Sequence, residues 1–384
     1  MALIPYGRQQ VTEGDIAAVV EVLRSDWLTQ GPVVPDFEAA VARTCGAAHG
    51  VAVNSATSAL HVACLALGLG PGDRLWTSPI TFLASANCAL YCDAQVDFVD
   101  VEPHTGNLSV DALALKLEAA AATNTLPKII VPVHLAGKSC DMAAIGALAR
   151  RHGVRVIEDA SHAIGGSHQG EPIGNCRHSD ITVFSFHPVK IITTGEGGMA
   201  VTQDATLAQR MALLRNHGMT RDPALMERPP EGPWSYDQIT LGFNYRMTDL
   251  QAALGRSQLG RLRDCIDCRE ALANRYDQLL AGLDVRTPQR EPFARSAWHL
   301  YIVQVEPTRR RAVFEALRTA DIGVNVHYIP VHTQPHYRRL GFQPGMFPVA
   351  EAFYAGAISL PMYVGLTEAQ LDFVVAKLRE ALHR

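Results

Sequence analysis

Apolar positions recur along the chain with two periods, and their alternation sets the expected architecture. Ile16, Val19, Val20 and Leu23 share one face of a helix expected to open at Thr12 and Glu13 and close by residue 26, and a second helix is expected over 37–44, ahead of Gly46. Short, mostly apolar runs then read as buried strands at 51–54, 74–78, 96–99, 129–133, 154–157, 181–186 and 198–202. Helical stretches separate them, the longest over 110–122. About seven strands alternating with helices before residue 205 predict an α/β fold with a mostly parallel sheet covered on both faces. Beyond a helix at 205–214 and a polar, proline-bearing loop at 221–242, one long helix is expected over 250–280. Strands at 299–305 and 324–328 follow, with helices starting at Arg309 and after Thr367. The pattern divides into a large α/β domain over 1–250 and a connecting helix with a smaller α/β domain over 251–384.

Composition narrows the function. The chain has 384 residues, 48% of them hydrophobic, and a net charge of -4. That allows a substantial core and gives no basic footprint for nucleic acid or an anionic membrane surface. No apolar run approaches the roughly 20 residues of a membrane span, and the first residues lack the charged and apolar regions of a signal peptide. A cytoplasmic protein is expected, with no nucleic-acid or membrane partner. The eight cysteines sit mostly among apolar residues without regular spacing, which favours buried thiols, and Cys265 with Cys268 has no second pair to complete a metal site.

Candidate chemistry gathers around the stretch from Ser185 to Gly198. A strand leads into His187 and Pro188, and Lys190 follows in a turn rich in Thr and Gly. An amine held against apolar and backbone surface loses hydration, so its pKa falls and it becomes a nucleophile towards a carbonyl. The other candidates also stand at strand ends. Ser55, Thr57 and Ser58 lie at a strand-to-helix junction, where free backbone N–H groups suit a phosphate, and Ser185 could add a hydroxyl. Phe82 follows another strand at the edge where open α/β sheets bind ligands. Glu158, Asp159 and His162 close a third. Asp159, past the last apolar strand residue, is the better placed acid to protonate a heterocyclic nitrogen. The sequence 68–73 fails the spacing of a dinucleotide fingerprint.

A phosphate cradle, a stacking aromatic, an acid for a ring nitrogen and a nucleophilic lysine are used together by pyridoxal 5'-phosphate. At these residues the sequence resembles the DegT/DnrJ/EryC1/StrS family of sugar-nucleotide aminotransferases, which have the fold type I architecture of the aspartate aminotransferases. The resemblance implies that Lys190 forms the Schiff base with the cofactor and Asp159 pairs with its ring nitrogen. It gives Thr57, Ser58 and Ser185 to the phosphate, His162 to the ring's surroundings, and Phe82 to its face. It also implies a homodimer, because the family asparagine that stands here as Asn244, before Tyr245 and Arg246, reaches the phosphate of the neighbouring subunit.

More narrowly, Ile4-Pro-Tyr-Gly-Arg-Gln, Asn54-Ser-Ala-Thr-Ser-Ala-Leu, Ala136-Gly-Lys-Ser-Cys and Ser185-Phe-His-Pro-Val-Lys look like the pseudaminic acid branch. Its members transfer the amino group of glutamate to C4 of UDP-2-acetamido-2,6-dideoxy-β-L-arabino-hex-4-ulose. Gly7 and Ile191 depart from that branch, which has a serine and a more polar residue there. By the same resemblance Tyr6, Trp27, Leu28, Thr29, Gln30, His327 and Tyr328 line the sugar-nucleotide pocket. Three alternatives stand beside this reading: an aminotransferase for another nucleotide-linked keto-sugar, a 3-dehydratase, and a cofactor-binding regulator without turnover. Lys190 argues against the dehydratase, in which histidine replaces the lysine, and the set of Lys190, Asp159 and His162 argues against the regulator.

Overall fold

The computed structural model describes residues 3–383. Seven strands form one sheet: β1 (His49–Val53), β2 (Arg74–Thr77), β3 (Gln95–Phe98), β4 (Ile129–Val131), β5 (Arg155–Asp159), β6 (Ile181–Ser185) and β7 (Gly198–Thr202). Their order is β1-β7-β6-β5-β4-β2-β3. β7 runs antiparallel to both its neighbours, and the remaining pairs are parallel. All the parallel strands therefore end at one edge, where Ser55, Phe82, Asp159 and Ser185 emerge.

Both faces of the sheet are covered. On one side α3 (Ala56–Ala66), α4 (Ala84–Leu90) and α7 (Ala205–Arg215) bury Leu60, Val62, Ala86 and Met211 against Val53, Leu75 and Val183. On the other, α2 (Val33–Cys45) and α8 (Asp249–Leu259) cover Phe184 and Met199, while α5 (Val110–Ala122) and α6 (Met142–His152) cover Trp76, Ile130 and Val156. A separate core joins α9 (Leu262–Leu280), α10 (Arg310–Thr319) and α11 (Glu368–Leu382) to the antiparallel strand pair Tyr301–Gln304 and Ala357–Leu360. Ile4 belongs to this core. Its N–H donates to the Asp321 carbonyl at 2.9 Å, and the N–H of Met362 donates to the Tyr6 carbonyl at 3.0 Å, so the N-terminal segment is pinned across it. Among the described residues no helix is long and apolar enough to cross a membrane.

Three expectations about elements are corrected. The single helix over 250–280 is two, α8 and α9, parted at Gly260 and Arg261. The strand over 324–328 does not form; only Asn325 bridges, to Ser359. The first helix, α1 (Glu13–Leu23), begins where expected, at a Thr12 capping box, but Ile16 and Leu23 are exposed and the buried side chains are Asp15 and Val22. The Asp15 carboxylate accepts from Ser257 at 2.7 Å, Gln258 at 2.9 Å and Arg261 at 2.7 Å, and those three donors fix which face of α1 meets α8.

Candidate active site

A cleft of about 850 Å³ opens at the carboxyl edge of the sheet, within the roughly 300–1,000 Å³ of pockets that hold small ligands and cofactors. Ten of the predicted site residues line it: Lys190, Asp159, His162, Thr57, Ser58, Ser185, Phe82, Tyr6, His327 and Tyr328. They arrive from four strand ends, from the docked N-terminal segment and, for His327 and Tyr328, from the non-strand segment 324–328.

One end of the cleft is the start of α3. Ser55 caps the helix by accepting from the Ser58 N–H at 3.1 Å, and the Ser58 hydroxyl donates to Asn54 at 2.6 Å. The amides of Ala56 and Thr57 have no carbonyl one turn back to receive them. Gly198 makes this possible, since a Cβ there would fall 2.5 Å from the Ala56 nitrogen and the Ser55 carbonyl. Hydroxyls of Ser55, Thr57, Ser58 and Ser185 around free helix-start amides form a donor set suited to a phosphate.

At the floor, β5 ends in Glu158 and Asp159, which a strand's alternation sends to opposite faces. Glu158 is bonded to His134 at 2.8 Å and Thr182 at 3.2 Å, away from the cleft. Asp159 faces the cleft, and its carboxylate accepts from Ser85 Oγ at 2.6 Å and from the Ser161 N–H at 3.1 Å. Thr81 lies 2.6 Å from Ser85, so a chain of hydroxyls holds the acid in place.

Lys190 stands across from it. Burial pulls its ammonium down to about 8, against the opposing pull of the Asp159 charge. His162 is buried, and desolvation first, then the charges of Lys190 and His327, hold its pKa well below the usual histidine range. Its Nδ1 accepts from the Ala136 N–H at 3.3 Å, so in the neutral ring Nε2 carries the proton and donates to the Tyr328 hydroxyl at 3.2 Å. Burial, and then the Asp159 charge, raises Tyr328, which stays a phenol. Phe82, 59% exposed, forms an open wall with its ring 6.4 Å from that of Tyr328. His327 bonds Ser359 at 2.7 Å, and burial lowers it to about 3.

The remaining predicted residues lie elsewhere in a single chain. Trp27, Leu28, Thr29 and Gln30 are exposed in a turn whose Leu28 and Thr29 carbonyls accept from the Asp249 N–H at 3.1 Å. Asn244 is exposed and bridges Asn216, next to Tyr245, whose carbonyl accepts from the Asn54 N–H at 2.8 Å. Sequence reasoning missed Thr81, Ser85, Asn325 and His299. The Thr81 and Ser85 hydroxyls, one turn apart around Phe82, were a readable signal. His299, whose ring lies 4.3 Å from that of His162, carried none.

The donor set fits pyridoxal phosphate at each part of the molecule: hydroxyls and helix amides at one end, a fixed carboxylate at the floor and an amine of lowered pKa opposite. Comparison with known proteins agrees. Residues 9–379 match the profile of the DegT/DnrJ/EryC1/StrS aminotransferase family. The spore coat polysaccharide biosynthesis protein SpsC of Bacillus subtilis is 40% identical over 386 residues, 98% of this chain and 96% of that one. GDP-perosamine synthase of Caulobacter vibrioides is 40% identical over 370 residues, 95% and 94% of the two chains. Among solved structures, Helicobacter pylori PseC, an aminotransferase involved in the biosynthesis of pseudaminic acid, superposes with a TM-score of 0.90 at 30% identity, covering 99% of each chain.

Proposed function

Since the chain belongs to the DegT/DnrJ/EryC1/StrS aminotransferase family and is a pyridoxal phosphate-dependent sugar aminotransferase, we propose that it carries the amino group of glutamate to C4 of UDP-2-acetamido-2,6-dideoxy-β-L-arabino-hex-4-ulose. One observation carries the reading most. Lys190 and Asp159 face one another in the same cleft as Tyr6, His327 and Tyr328, in a fold that follows PseC along its length. A second reading, a GDP-linked keto-sugar as acceptor, is supported by the 40% identity to GDP-perosamine synthase. Incubation with glutamate and each of several UDP- and GDP-linked 4-keto and 3-keto sugars, with products assigned by NMR, tests both. A 4-amino UDP-sugar is expected; amination at C3 only, or of GDP-sugars only, overturns the first reading.

Pyridoxal phosphate, when bound, supplies an aldehyde for amines and a ring that takes up the electrons released when the donor's Cα–H bond breaks. In our reading Thr57, Ser58, Ser185 and the first amides of α3 hold its phosphate, Asp159 its ring nitrogen, and Phe82 and His162 its surroundings. Asp159, kept as an acceptor by Ser85 and Ser161, keeps a proton on whatever nitrogen it faces. Lys190 is the cleft's basic amine, its pKa lowered by burial to about 8, and so is placed to take a proton from the donor carbon and return one to the acceptor carbon. His162 remains neutral and holds Tyr328 by its Nε2 proton, which fixes the phenol at the mouth of the sugar pocket.

We also propose that two copies complete each site. Asn244, Trp27, Leu28, Thr29 and Gln30 lie outside the cleft of their own chain, and the large apolar side chains Trp27, Trp234 and Leu241 are 57%, 69% and 78% exposed. A homodimer that covers them brings Asn244 to the partner's phosphate end. Residues 251–384 form the smaller domain in this proposal, and the enzyme acts in the cytoplasm.

A further inference from the structure

A second cavity, of about 210 Å³, lies across residues 135–138 from the cleft and shares no lining residue with it. Its wall is apolar on one side, where Leu135, Trp298, Leu300, Ile302 and Phe353 are buried. On the other side it presents hydrogen-bond donors. Lys138, only 6% exposed, reaches in and has the Gln289 carbonyl as its hydrogen-bond partner. The amide Nε2 of Gln304 is buried in the wall with no partner among the described residues. Arg286 stands at the rim, exposed and in no ion pair among the described residues. No Asp or Glu lines the space. The Glu291 charge offsets only part of the desolvation of Lys138, and a buried cation with two of its three protons unassigned is costly unless something accepts from it.

We propose that this cavity binds a small organic anion, an acidic head on a compact apolar body, and that occupancy is transmitted to His162. The head meets Lys138 and Arg286, and the body lies over Trp298 and Leu300. At 210 Å³ the space lies below the roughly 300 Å³ at which pockets for drug-sized ligands begin, which limits the ligand to something of the order of a substituted benzoate.

Transmission has a short physical path, because one layer of backbone separates the two spaces. The Ala136 N–H donates to His162 Nδ1 at 3.3 Å, and the Ala136 carbonyl accepts from the Leu300 N–H at 3.3 Å. Gly137 accepts from the Ala297 N–H at 2.9 Å. It sits at φ +95, and a Cβ would fall 2.9 Å from the His162 carbonyl and the Trp298 nitrogen and 3.0 Å from the His299 nitrogen. A packed layer of this kind cannot shift at Lys138 or Leu300 without moving Ala136, and with it the bond that fixes the His162 tautomer.

Calorimetric titration of the holoenzyme with benzoate, and with benzamide as its neutral isostere, tests the site. Benzoate should bind saturably at one site per chain and benzamide should not. Lys138→Met and Arg286→Gln should each weaken benzoate by about tenfold or more, the effect of losing one charge-assisted hydrogen bond. The rate of the glutamate half-reaction should change with the same midpoint as binding, while Lys138→Met without benzoate reacts at the parental rate. Arg286 is exposed, so its variant reads the site even if Lys138→Met fails to fold. Absence of saturable binding, benzoate affinity undiminished in Arg286→Gln and any folded Lys138 variant, or competitive displacement by glutamate overturns the site. Binding without any change in the half-reaction overturns the transmission. The binding arm needs no turnover, so it stands or falls apart from the choice of sugar substrate.

Discussion

Lys190 and Lys138 share an unusual property, since burial brings each ammonium down to about 8. What separates them is their surroundings. Lys190 faces Asp159 and the hydroxyl-rich end of the cleft, whereas Lys138 is occupied by a carbonyl in a cavity without a ring-nitrogen partner. Borohydride reduction of the holoenzyme followed by peptide mapping should therefore place the pyridoxyl group on Lys190, and label on Lys138 instead would defeat the assignment. The sign of the pH effect follows from the direction of the shift. A lowered pKa means that the free amine becomes the major form near pH 8 rather than near 10.5. Cofactor uptake by the cofactor-free enzyme should rise about tenfold per pH unit below 8 and level off above it; a rise continuing past pH 10 would show an unperturbed lysine.

Asp159→Asn should retain some cofactor yet lose most turnover, several kcal/mol of barrier, because an amide cannot keep the ring nitrogen protonated. Ser85→Ala, which removes the 2.6 Å donor, should cost less, roughly tenfold in the half-reaction. A Ser85 variant as slow as Asp159→Asn would mean the serine acts directly. Lys190 and Asp159 were legible in the sequence because both follow apolar strand runs, and strand ends of a parallel sheet converge. The pairing of Ser85 with Asp159 and that of His299 with His162 were not. Their proximity depends on how α4 and the 297–300 segment pack, which no local pattern encodes.

At the scale of elements, the strands were readable because the central ones are short apolar runs that the sheet buries on both faces, while the edge strand β3 alternates buried Val96 and Phe98 with Gln95 and Asp97. The misreadings have physical causes. Apolar periodicity assigned α1 a face of Ile16, Val19, Val20 and Leu23, but a buried acid with four hydrogen-bonding partners outweighs a few half-covered side chains. Asp15→Ala should accordingly destabilise the protein by about 3–5 kcal/mol, measured by denaturant titration, since Arg261 would lose its partner; a loss under 1 kcal/mol would make the contact incidental. Residues 324–328 look like a strand by composition. Yet beyond the single bridge at Asn325 the chain turns His327 and Tyr328 into the cleft, ahead of Pro330, which has no N–H to give a ladder. Another element-level consequence concerns β7 and α3. Gly198→Ala drives a Cβ to 2.5 Å from the Ala56 nitrogen, so the helix start must move. Cofactor affinity should fall at least tenfold by spectroscopic titration while the sheet still folds. Unchanged affinity would remove the α3 amides from the phosphate site.

The whole molecule poses the question of how many chains make one site. The family asparagine, Asn244, is exposed on its own chain, and so is the 27–30 turn, although the other ten predicted residues converge. Two copies arranged so that Asn244 of one faces the α3 start of the other would account for both groups, and for the exposed Trp27 and Leu241. Asn244 was given to a neighbouring subunit by its motif alone; nothing in residues 27–30 separates a turn that serves its own cleft from one that serves a neighbour's, which is why they were read into one pocket with Tyr6, His327 and Tyr328. If the sites are shared, Lys190→Ala and Asn244→Ala should each be impaired as homodimers, and mixing them has a different outcome. In the heterodimer one site collects both substitutions. The other takes its lysine from the Asn244→Ala chain and its asparagine from the Lys190→Ala chain, and is intact. Activity should return to about half of the parental value per heterodimer once subunits exchange under mild denaturation and refolding. If Asn244 serves its own chain, the Lys190→Ala subunit has no lysine and the other subunit no asparagine, so neither site is restored. A mixture no more active than its components, with exchange verified by differently tagged chains, would then assign each site to a single chain.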